Sequence, residues 1–269
     1  MAKCVVCSKS AGPFYSLHKA CHLVYRDTQT CLQDNLSPSV LQSGNNSKVV
    51  EAIQSCKPTS AFSAAQFKKL FVQEWSKQAN QCVKKSNLQI EVAKNLLRLA
   101  EEYSLSDEDL EPFLLMRLEN VPHLDGLQKN KTIEKKFKAI PENIELADNE
   151  FVIWRFENIA RSEPITTSQE KKWTVLRSVM NSMTLRSRYK QLPSRTENAG
   201  ALIVTNQTLH YINNNKLTQT KYSDIHSLTP MKNGVRVQAT TSGATPDTYI
   251  TGDGRFTFAL LQYAQGLDG

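Results

Sequence analysis

The sequence lacks long apolar runs, and this absence excludes several classes of protein. Of its 269 residues, 40% are hydrophobic and 22% are charged, which is typical of a globular chain with a packed core. Uninterrupted apolar stretches such as Phe151–Trp154 and Ala201–Val204 are short, whereas a membrane-spanning helix needs about 20 residues. The first residues, MAKCVVCSKS, also lack the apolar segment of a secretory signal. We therefore expect a soluble, cytoplasmic protein with no transmembrane segment.

Motifs of known catalytic sites are missing as well. The chain contains no G-x-S-x-G nucleophile motif, no phosphate-binding P-loop and no H-E-x-x-H metalloprotease motif. The pair Asp107 and Asp109 lacks the Gly and the final Glu of a calcium-binding loop. The histidines His123, His210 and His226 stand outside any nucleophile motif, and lone histidines of this kind are mostly structural. The sequence therefore predicts a protein that is not an enzyme.

Cysteine, by contrast, is concentrated at one end of the chain. Four of the six cysteines lie within the first 31 residues, and in a reducing cytosol such a cluster indicates a metal site rather than disulfides. Cys4 and Cys7 form a C-x2-C pair, and His18 and Cys21 form an H-x2-C pair ten residues later. Residues three apart share a helix face, so the second pair can complete a tetrahedral site. We predict a structural Zn²⁺ ion held by these four residues.

Two alternatives remain open within this ligand set. His22 could replace His18 as the nitrogen ligand, and Cys31, further along the same helix, is a reserve ligand. Because Cys31 falls on an apolar helix stripe, we expect it in the core. Cys56 and Cys82 are expected to be ordinary residues outside the metal site. A site with four protein ligands has no open coordination position, so this zinc is expected to stabilise the fold and not to act in catalysis.

Changes in composition divide the chain into three predicted modules. Residues 1–36 follow the order of knuckle, short extended segment and ligand-bearing helix that is typical of a treble-clef zinc finger. Residues 60–120 carry apolar side chains at three- and four-residue steps, which predicts an all-α region, and 121–140 is expected to be a charged linker. Residues 145–267 hold short strand-like runs. We expect an α+β protein whose last module is an antiparallel β-barrel or sandwich capped by a C-terminal helix.

Periodicity and turn residues predict the individual elements. A short helix is expected over Lys48–Gln54, a longer helix from Ser63, another over 88–103 and a third that opens at Ser106–Asp109. Pro112 lies inside this third helix, so the helix either kinks there or starts afresh with Pro112 near its first turn. The final helix is expected over Arg255–Gln265. Strands are predicted over Phe151–Phe156, Trp173–Met180, Met183–Gln191, Ala201–Thr205, Thr208–Ile212, Thr218–Tyr222, Gly234–Thr240 and Thr248–Ile250.

The last module resembles a known family. Gly200–Tyr211, Lys221–Ile225 and Gly234–Val237, followed by the final helix, resemble the G-x-L-x-x-T-x-x-x-L-x-F…I…G-I-x-I progression of GRAM and pleckstrin-homology-like domains. Tyr211 stands where Phe is common. The resemblance covers residues 145–266 and is greatest to bacterial and phage proteins that begin with a C-x2-C…H-x2-C knuckle. Domains of this kind bind phosphoinositides, phosphorylated peptides or protein partners, so the resemblance implies recognition and supplies no catalytic residue.

A basic stretch in this module is a candidate binding surface. Its sequence is KKWTVLRSVMNSMTLRSRYKQLPSR, which holds seven Lys and Arg and no acidic residue. Strand alternation places Arg186, Arg188 and Lys190 on one face, with Lys171 and Lys172 nearby in sequence, and this favours anion binding. Such a face can equally be a solubilising surface that prevents edge-to-edge pairing. Anionic lipid headgroups, nucleic acid and an acidic protein partner are the other interpretations.

Together these features predict a non-enzymatic, zinc-binding adaptor. Its C-terminal domain is expected to bind a protein partner or an anionic phospholipid surface. A nucleic-acid-binding zinc protein is the first alternative, since the formal net charge is +7 and treble clefs occur in DNA-binding proteins. A metal-dependent nuclease of the treble-clef type is a weaker alternative, because it needs a further His and Asn or Asp around an open metal, and His22 is the only spare histidine nearby.

Overall fold

The chain divides into two compact units, Met1–Pro122 and His123–Gly269. The computed structural model describes residues 3–4, 6–11, 17–43, 46–57, 63–129, 133, 144–162, 199–214, 216–240 and 246–267. None of the helices in these ranges combines the length and the apolar character that a membrane span requires. The finer division into three modules stays a prediction.

Helices dominate the first part of the chain, and the predicted helices over Lys48–Gln54 and from Ser63 are confirmed. Ser63 caps one helix through a reciprocal pair of hydrogen bonds with Gln66, because each side chain bonds the backbone N–H of the other residue. The predicted helix over 88–103 is also confirmed. The described residues up to 129 form six helices: α1 (Lys19–Asn35), α2 (Pro38–Gln42), α3 (Asn46–Ser55), α4 (Ala64–Lys84), α5 (Ile90–Glu102) and α6 (Leu114–Lys129).

Buried polar groups join α1, α4 and α5. The Trp75 side chain is fully buried, and its indole N–H donates to the Leu96 carbonyl at 3.0 Å, linking α4 to α5. The neighbouring Glu74 is only 1% exposed. Its carboxylate accepts hydrogen bonds from Gln29 at 2.6 Å and from Gln33 at 3.1 Å, both on α1. Because a buried carboxylate must be hydrogen-bonded, these contacts fix where α1 lies on α4.

The predicted third helix and the predicted linker are both wrong in part. Ser106–Asp109 forms a turn. In it the Asp109 carboxylate accepts a hydrogen bond from the Ser106 backbone N–H at 3.2 Å. The helix α6 begins only at Leu114, because Phe113, directly after Pro112, has a positive φ of 67° and is not helical. A second proline, Pro122, lies inside α6. The helix then continues to Lys129, so the beginning of 121–140 is helical and not a linker.

One pair of cysteines is also not as predicted. Cys31 on α1 and Cys56, directly after α3, form a disulfide with their Cα atoms 5.7 Å apart. The prediction that disulfides are absent, with Cys31 as a core residue or reserve ligand and Cys56 as an ordinary residue, is wrong. The prediction fails because the pairing depends on a tertiary contact. The fold brings the end of α3 against α1, although the two cysteines are 25 residues apart in sequence. Cys82 is buried and unpaired as expected, and burial raises the pKa of its thiol to about 11.

The C-terminal unit contains one open antiparallel sheet. Its described strands lie in the order β4-β3-β2-β1-β7-β6-β5. The predicted α+β class is confirmed at this level, while closure into a barrel is not seen in the described strands. Two predicted strands, Trp173–Met180 and Met183–Gln191, lie outside the described residues. The elements are β1 (Val152–Ser162), β2 (Ala199–Thr205), β3 (Thr208–Asn213), β4 (Lys216–Lys221), β5 (Ile225–Met231), β6 (Gly234–Ala239), β7 (Asp247–Ile250) and α7 (Gly254–Gln265).

The strand β5 was missing from the sequence prediction for a physical reason. It is an outer strand that pairs only with β6 among the described strands. Most of its side chains are exposed, so polar and apolar residues do not alternate along it. It also contains Pro230, which cannot donate a backbone hydrogen bond and is tolerated on an outer strand. A strand without alternation or burial leaves no period-two pattern to detect.

The sheet is strongly curved. β3 and β7 are three strands apart, about 14 Å in a flat sheet with the usual spacing, yet the rings of Tyr211 and Tyr249 have centroids only 5.6 Å apart. Arg161 of β1 likewise reaches Thr218 of β4 at 3.1 Å while its guanidinium pairs with both oxygens of Asp247. The helix α7 packs against β2, β5 and β6. The predicted C-terminal helix therefore covers one face of the curved sheet.

Two residues fix the start of α7. Asp253 is its N-cap and accepts a hydrogen bond from the Phe256 backbone N–H at 3.1 Å. Gly254 follows, and a Cβ atom there would overlap the carbonyl oxygen of Met231 in β5. The helix can approach the β5–β6 hairpin this closely only because residue 254 has no side chain.

We expect Gly254→Ala to destabilise the C-terminal unit by about 2–3 kcal/mol, since the added methyl group must displace backbone. Gly266→Ala at the other end of α7 is the matched control. The nearest atom to a Cβ at Gly266 lies 3.4 Å away, so its effect should stay within about 0.5 kcal/mol. Native-state hydrogen exchange of the strand amides measures both values. Equal losses for the two variants would contradict the close approach.

A buried acid and a histidine attach the segment before β1 to the turn between β2 and β3. The Glu150 carboxylate accepts a hydrogen bond from the Thr205 hydroxyl at 2.5 Å and lies 3.0 Å from Nε2 of His210. The Glu150 and His210 side chains are 4% and 1% exposed. Burial raises the pKa of Glu150, but hydrogen bonds from Thr205, the Ala147 backbone and His210 hold it below its ordinary value. The folded state therefore favours the ionised carboxylate.

A carboxyl group with a lowered pKa stabilises the fold above its unfolded pKa, and this contribution is lost as the pH falls through the folded value. At pH 7 we expect Glu150→Gln to cost about 1–3 kcal/mol. The difference from the parent protein should begin to shrink as the pH falls below the ordinary glutamate pKa of about 4, and should vanish below the lower folded pKa of Glu150. Urea unfolding at several pH values, followed by circular dichroism, measures it. Glu145→Gln, at an exposed glutamate of the same segment, should leave the pH dependence unchanged.

Candidate metal centre

A tight turn near the N-terminus places two cysteines on one side. The Cys4 backbone N–H donates to the Lys9 carbonyl at 2.7 Å, and the Ser8 N–H donates to the Cys4 carbonyl at 2.9 Å. Ser8 has a positive φ of 60°, which lets the chain reverse within these few residues. Cys4 and Cys7 lie at the start and in the middle of this turn, so their sulfur atoms converge as the C-x2-C spacing predicts.

The other two residues belong to the start of α1. His18 is the N-cap residue, with extended backbone and no capping hydrogen bond from its side chain. The imidazole is therefore directed to the turn and not to the helix. Cys21 lies in the first turn of α1, three residues later, and reaches the same point. The sequence predicted His18 inside the first helical turn, and the structure places it one position earlier.

The four predicted ligands meet at one point. The Nδ1 atom of His18 lies 3.3 Å from the Cys7 sulfur and 3.7 Å from the Cys21 sulfur. The ligand atoms of Cys4, Cys7, His18 and Cys21, called here the Cys3His cluster, all lie within 4.8 Å of one another. This group could hold a metal ion. The alternative ligand His22 is exposed and lies outside this group.

The second alternative, Cys31, is excluded by its own chemistry. Its sulfur is bonded to Cys56. It also lies ten residues beyond Cys21 along α1, which corresponds to about 15 Å of helix. The Cys3His cluster is therefore separate from the disulfide.

A backbone carbonyl orients the imidazole of His18. The Nε2 atom lies 2.8 Å from the Ser10 carbonyl oxygen. A carbonyl only accepts hydrogen bonds, so Nε2 carries the proton and the lone pair of Nδ1 points at the sulfur atoms. The hydrogen bond to Ser10, followed by the Cys7 sulfur, raises the pKa of His18. An outer hydrogen bond of this type is what holds a metal-binding histidine in its ligating tautomer.

The thiols of Cys4 and Cys21 have opposite pKa shifts. Cys4 is 1% exposed, and although burial raises its pKa, backbone N–H groups of Cys7, His18 and Val6 lower it to about 6. Burial and hydrogen bonds to Cys4 and Cys7 raise the pKa of Cys21 to about 11. One thiolate thus forms readily at the base of the cluster, and it suppresses ionisation of its neighbour. A cation between the sulfur atoms removes this conflict because it stabilises all three thiolates.

Comparison with known protein families and with curated proteins finds no match for this chain. The candidate site is therefore defined by its own geometry. The second predicted site lies outside the described residues, namely Lys171, Lys172, Arg186, Arg188 and Lys190.

Two contributions to this region were missing from the sequence prediction. Ser10 acts through its backbone carbonyl, and no side-chain motif marks a carbonyl. Cys56 pairs with Cys31 across 25 residues, a contact that the folding of α3 onto α1 creates. The H-x2-C and C-x2-C spacings, in contrast, identified all four members of the Cys3His cluster.

Titration with Co²⁺ tests the choice of histidine. The parent chain and His22→Ala should bind one Co²⁺ with the absorption of tetrahedral thiolate coordination. His18→Ala should bind at least ten times more weakly, because it removes a ligand whose outer hydrogen bond is already formed. The opposite result, in which His22→Ala loses binding and His18→Ala keeps it, would show that the nitrogen ligand is wrongly assigned.

Proposed function

We propose that the Cys3His cluster binds Zn²⁺ and that the ion is structural. The observation that carries this proposal is the convergence of three thiols and one imidazole within 4.8 Å, because this donor set suits tetrahedral zinc. Zn–S and Zn–N bonds of about 2.3 and 2.0 Å separate the ligand atoms by about 3.6 Å at the tetrahedral angle. The distances from His18 Nδ1 to Cys7 and Cys21, 3.3 and 3.7 Å, fall on either side of that value.

The role of such an ion follows from the number of ligands and from what they join. Four protein ligands fill a tetrahedral zinc ion, so the ion supplies folding energy and offers no position to a substrate. The turn that carries Cys4 and Cys7 also contacts α4, because Gln66 donates to the Ser8 hydroxyl at 3.2 Å. A metal in the cluster therefore secures this turn to the start of α1, beside its contact with α4.

Metal content and stability test the zinc proposal together. The purified chain should contain one zinc ion per molecule by elemental analysis, and removal by a chelator should lower the melting temperature of the N-terminal unit. Cys7→Ser should lose the metal, whereas Cys82→Ser, at a buried cysteine outside the cluster, should keep it. A zinc content well below one per chain, or equal stability with and without metal, would reject a structural zinc site.

We further propose that the chain is a non-enzymatic adaptor whose C-terminal domain is GRAM- or pleckstrin-homology-like and binds a protein partner or an anionic phospholipid surface. The resemblance of Gly200–Tyr211, which forms β2, the turn and β3, supports the domain type. The consecutive antiparallel strands and the helix α7 that covers them are compatible with it. The candidate contact surface stays the sequence prediction: Arg186, Arg188 and Lys190 on one face of the predicted strand, with Lys171 and Lys172 nearby in sequence, would attract anionic partners.

Charge reversal of the basic stretch tests this second proposal. We expect the triple change Arg186→Glu, Arg188→Glu and Lys190→Glu to abolish sedimentation with vesicles that contain anionic phospholipid, or capture of a partner from native cells. A second triple variant is the control, with equal charge change at exposed cations elsewhere on the domain: Lys216→Glu, Lys221→Glu and Arg236→Glu. If the first variant binds as the parent does, the basic stretch serves only solubility.

A further inference from the structure

The disulfide between Cys31 and Cys56 lies in a position suited to reaction. Cys31 is half-buried on α1 and Cys56 is 6% exposed, so a small thiol reaches Cys31 more readily. The side-chain amide of Asn35 lies 3.6 Å from the Cys31 sulfur and 3.5 Å from the Cys56 sulfur. An N–H donor beside both sulfur atoms stabilises a thiolate on either of them, and a stabilised leaving thiolate accelerates exchange.

The same bond carries much of the attachment of α3. This helix has ten residues, fewer than the 12–15 or so that an isolated helix needs in water. Its fully buried apolar side chains are Val49 and Ile53. Cys56 follows its last residue, so the disulfide fixes the C-terminal end of α3 to α1. A short helix with two buried aliphatic anchors depends strongly on such a covalent link.

We propose that Cys31 and Cys56 form a reversible, thiol-responsive tether that holds α3 on α1 when oxidised and releases it when reduced. The tether is distinct from the Cys3His cluster, because Cys31 lies about 15 Å along α1 from Cys21. It is also distinct from Cys82, which is buried with a raised pKa and is therefore unreactive. The proposal does not depend on the zinc proposal.

The reaction is thiol–disulfide exchange with a small thiol and its disulfide. A thiolate of the glutathione class attacks the Cys31 sulfur, the bond between Cys31 and Cys56 breaks, and the electron pair leaves on Cys56. A second thiolate attacks the mixed disulfide and releases Cys31, forming the oxidised small molecule. Two small thiols are oxidised, the protein disulfide is reduced to two thiols, and the two protons pass from the reagent to the cysteines. The reverse sequence restores the tether.

Hydrogen–deuterium exchange of the full, metal-loaded chain in glutathione buffers tests the proposal. On reduction we expect the amides of α3 to exchange at least tenfold faster, while those of α4 and α5 keep their rates. Reoxidation should restore protection. Cys31→Ser and Cys56→Ser should behave like the reduced parent in every buffer, and Cys82→Ser should respond as the parent does. Differential alkylation and mass spectrometry count the paired cysteines, and zinc is measured in the same samples.

Several outcomes would overturn the tether. The first is a pair of free thiols at Cys31 and Cys56 under oxidising glutathione. A second is equal protection of α3 in both redox states, which would make the disulfide irrelevant to docking. A third is faster exchange in α3, α4 and α5 together, which would indicate unfolding of the unit and not local release. Absence of zinc from every sample, together with a reversible change of α3 on reduction, would count against the zinc proposal alone.

Discussion

The convergence of three thiols and one imidazole in the Cys3His cluster links the start of the chain to α1. Among the residues of 3–11 that the structure describes, Cys4 and Val6 are the buried ones, so these residues contribute little apolar burial. Hydrophobic burial of two side chains supplies only a few kcal/mol, about the cost of ordering a few residues. The three thiols of the Cys3His cluster cannot all ionise beside one another without opposite charge. The zinc ion that we propose resolves both deficits, because it stabilises the three thiolates and adds four bonds to protein ligands.

The helix α1 is positioned by three different kinds of contact along its length. Its first turn supplies Cys21 to the Cys3His cluster. About two turns later, Gln29 and Gln33 donate to the buried carboxylate of Glu74 on α4. Cys31 lies between these two glutamines and is covalently joined to the end of α3. The carboxylate contact involves neither the cysteines nor a metal, so we expect α1 to stay on α4 when the disulfide is reduced or the proposed metal is removed.

Local patterns in the sequence were sufficient wherever the deciding interaction is local. The capping pair of Ser63 and Gln66 marks the start of α4, and short apolar runs bounded by turn residues mark β2 and β3. The C-x2-C and H-x2-C pairs identify the candidate metal ligands because each pair is set by one turn of chain. The sequence did not predict elements whose position depends on a distant contact, or whose residues show no clear periodicity. The outer strand β5 has no alternating face, and α6 starts only after Pro112 despite acidic residues earlier that are typical of a helix start.

The cysteines show why the same residue type needs two kinds of argument. Cys21 and Cys31 share one helix. The H-x2-C spacing from His18 marks Cys21 as a candidate metal ligand, but no local spacing predicts that Cys31 pairs with Cys56. The two cysteines differ in which sulfur atoms lie near them: those of Cys4 and Cys7 for Cys21, and that of Cys56 for Cys31. The turn between Cys4 and Lys9 brings thiols to Cys21 through short-range geometry, whereas Cys31 meets Cys56 only after α3 has docked. The assumption that a reducing compartment removes disulfides addresses the redox equilibrium, but it says nothing about which sulfur atoms the fold places within bonding distance.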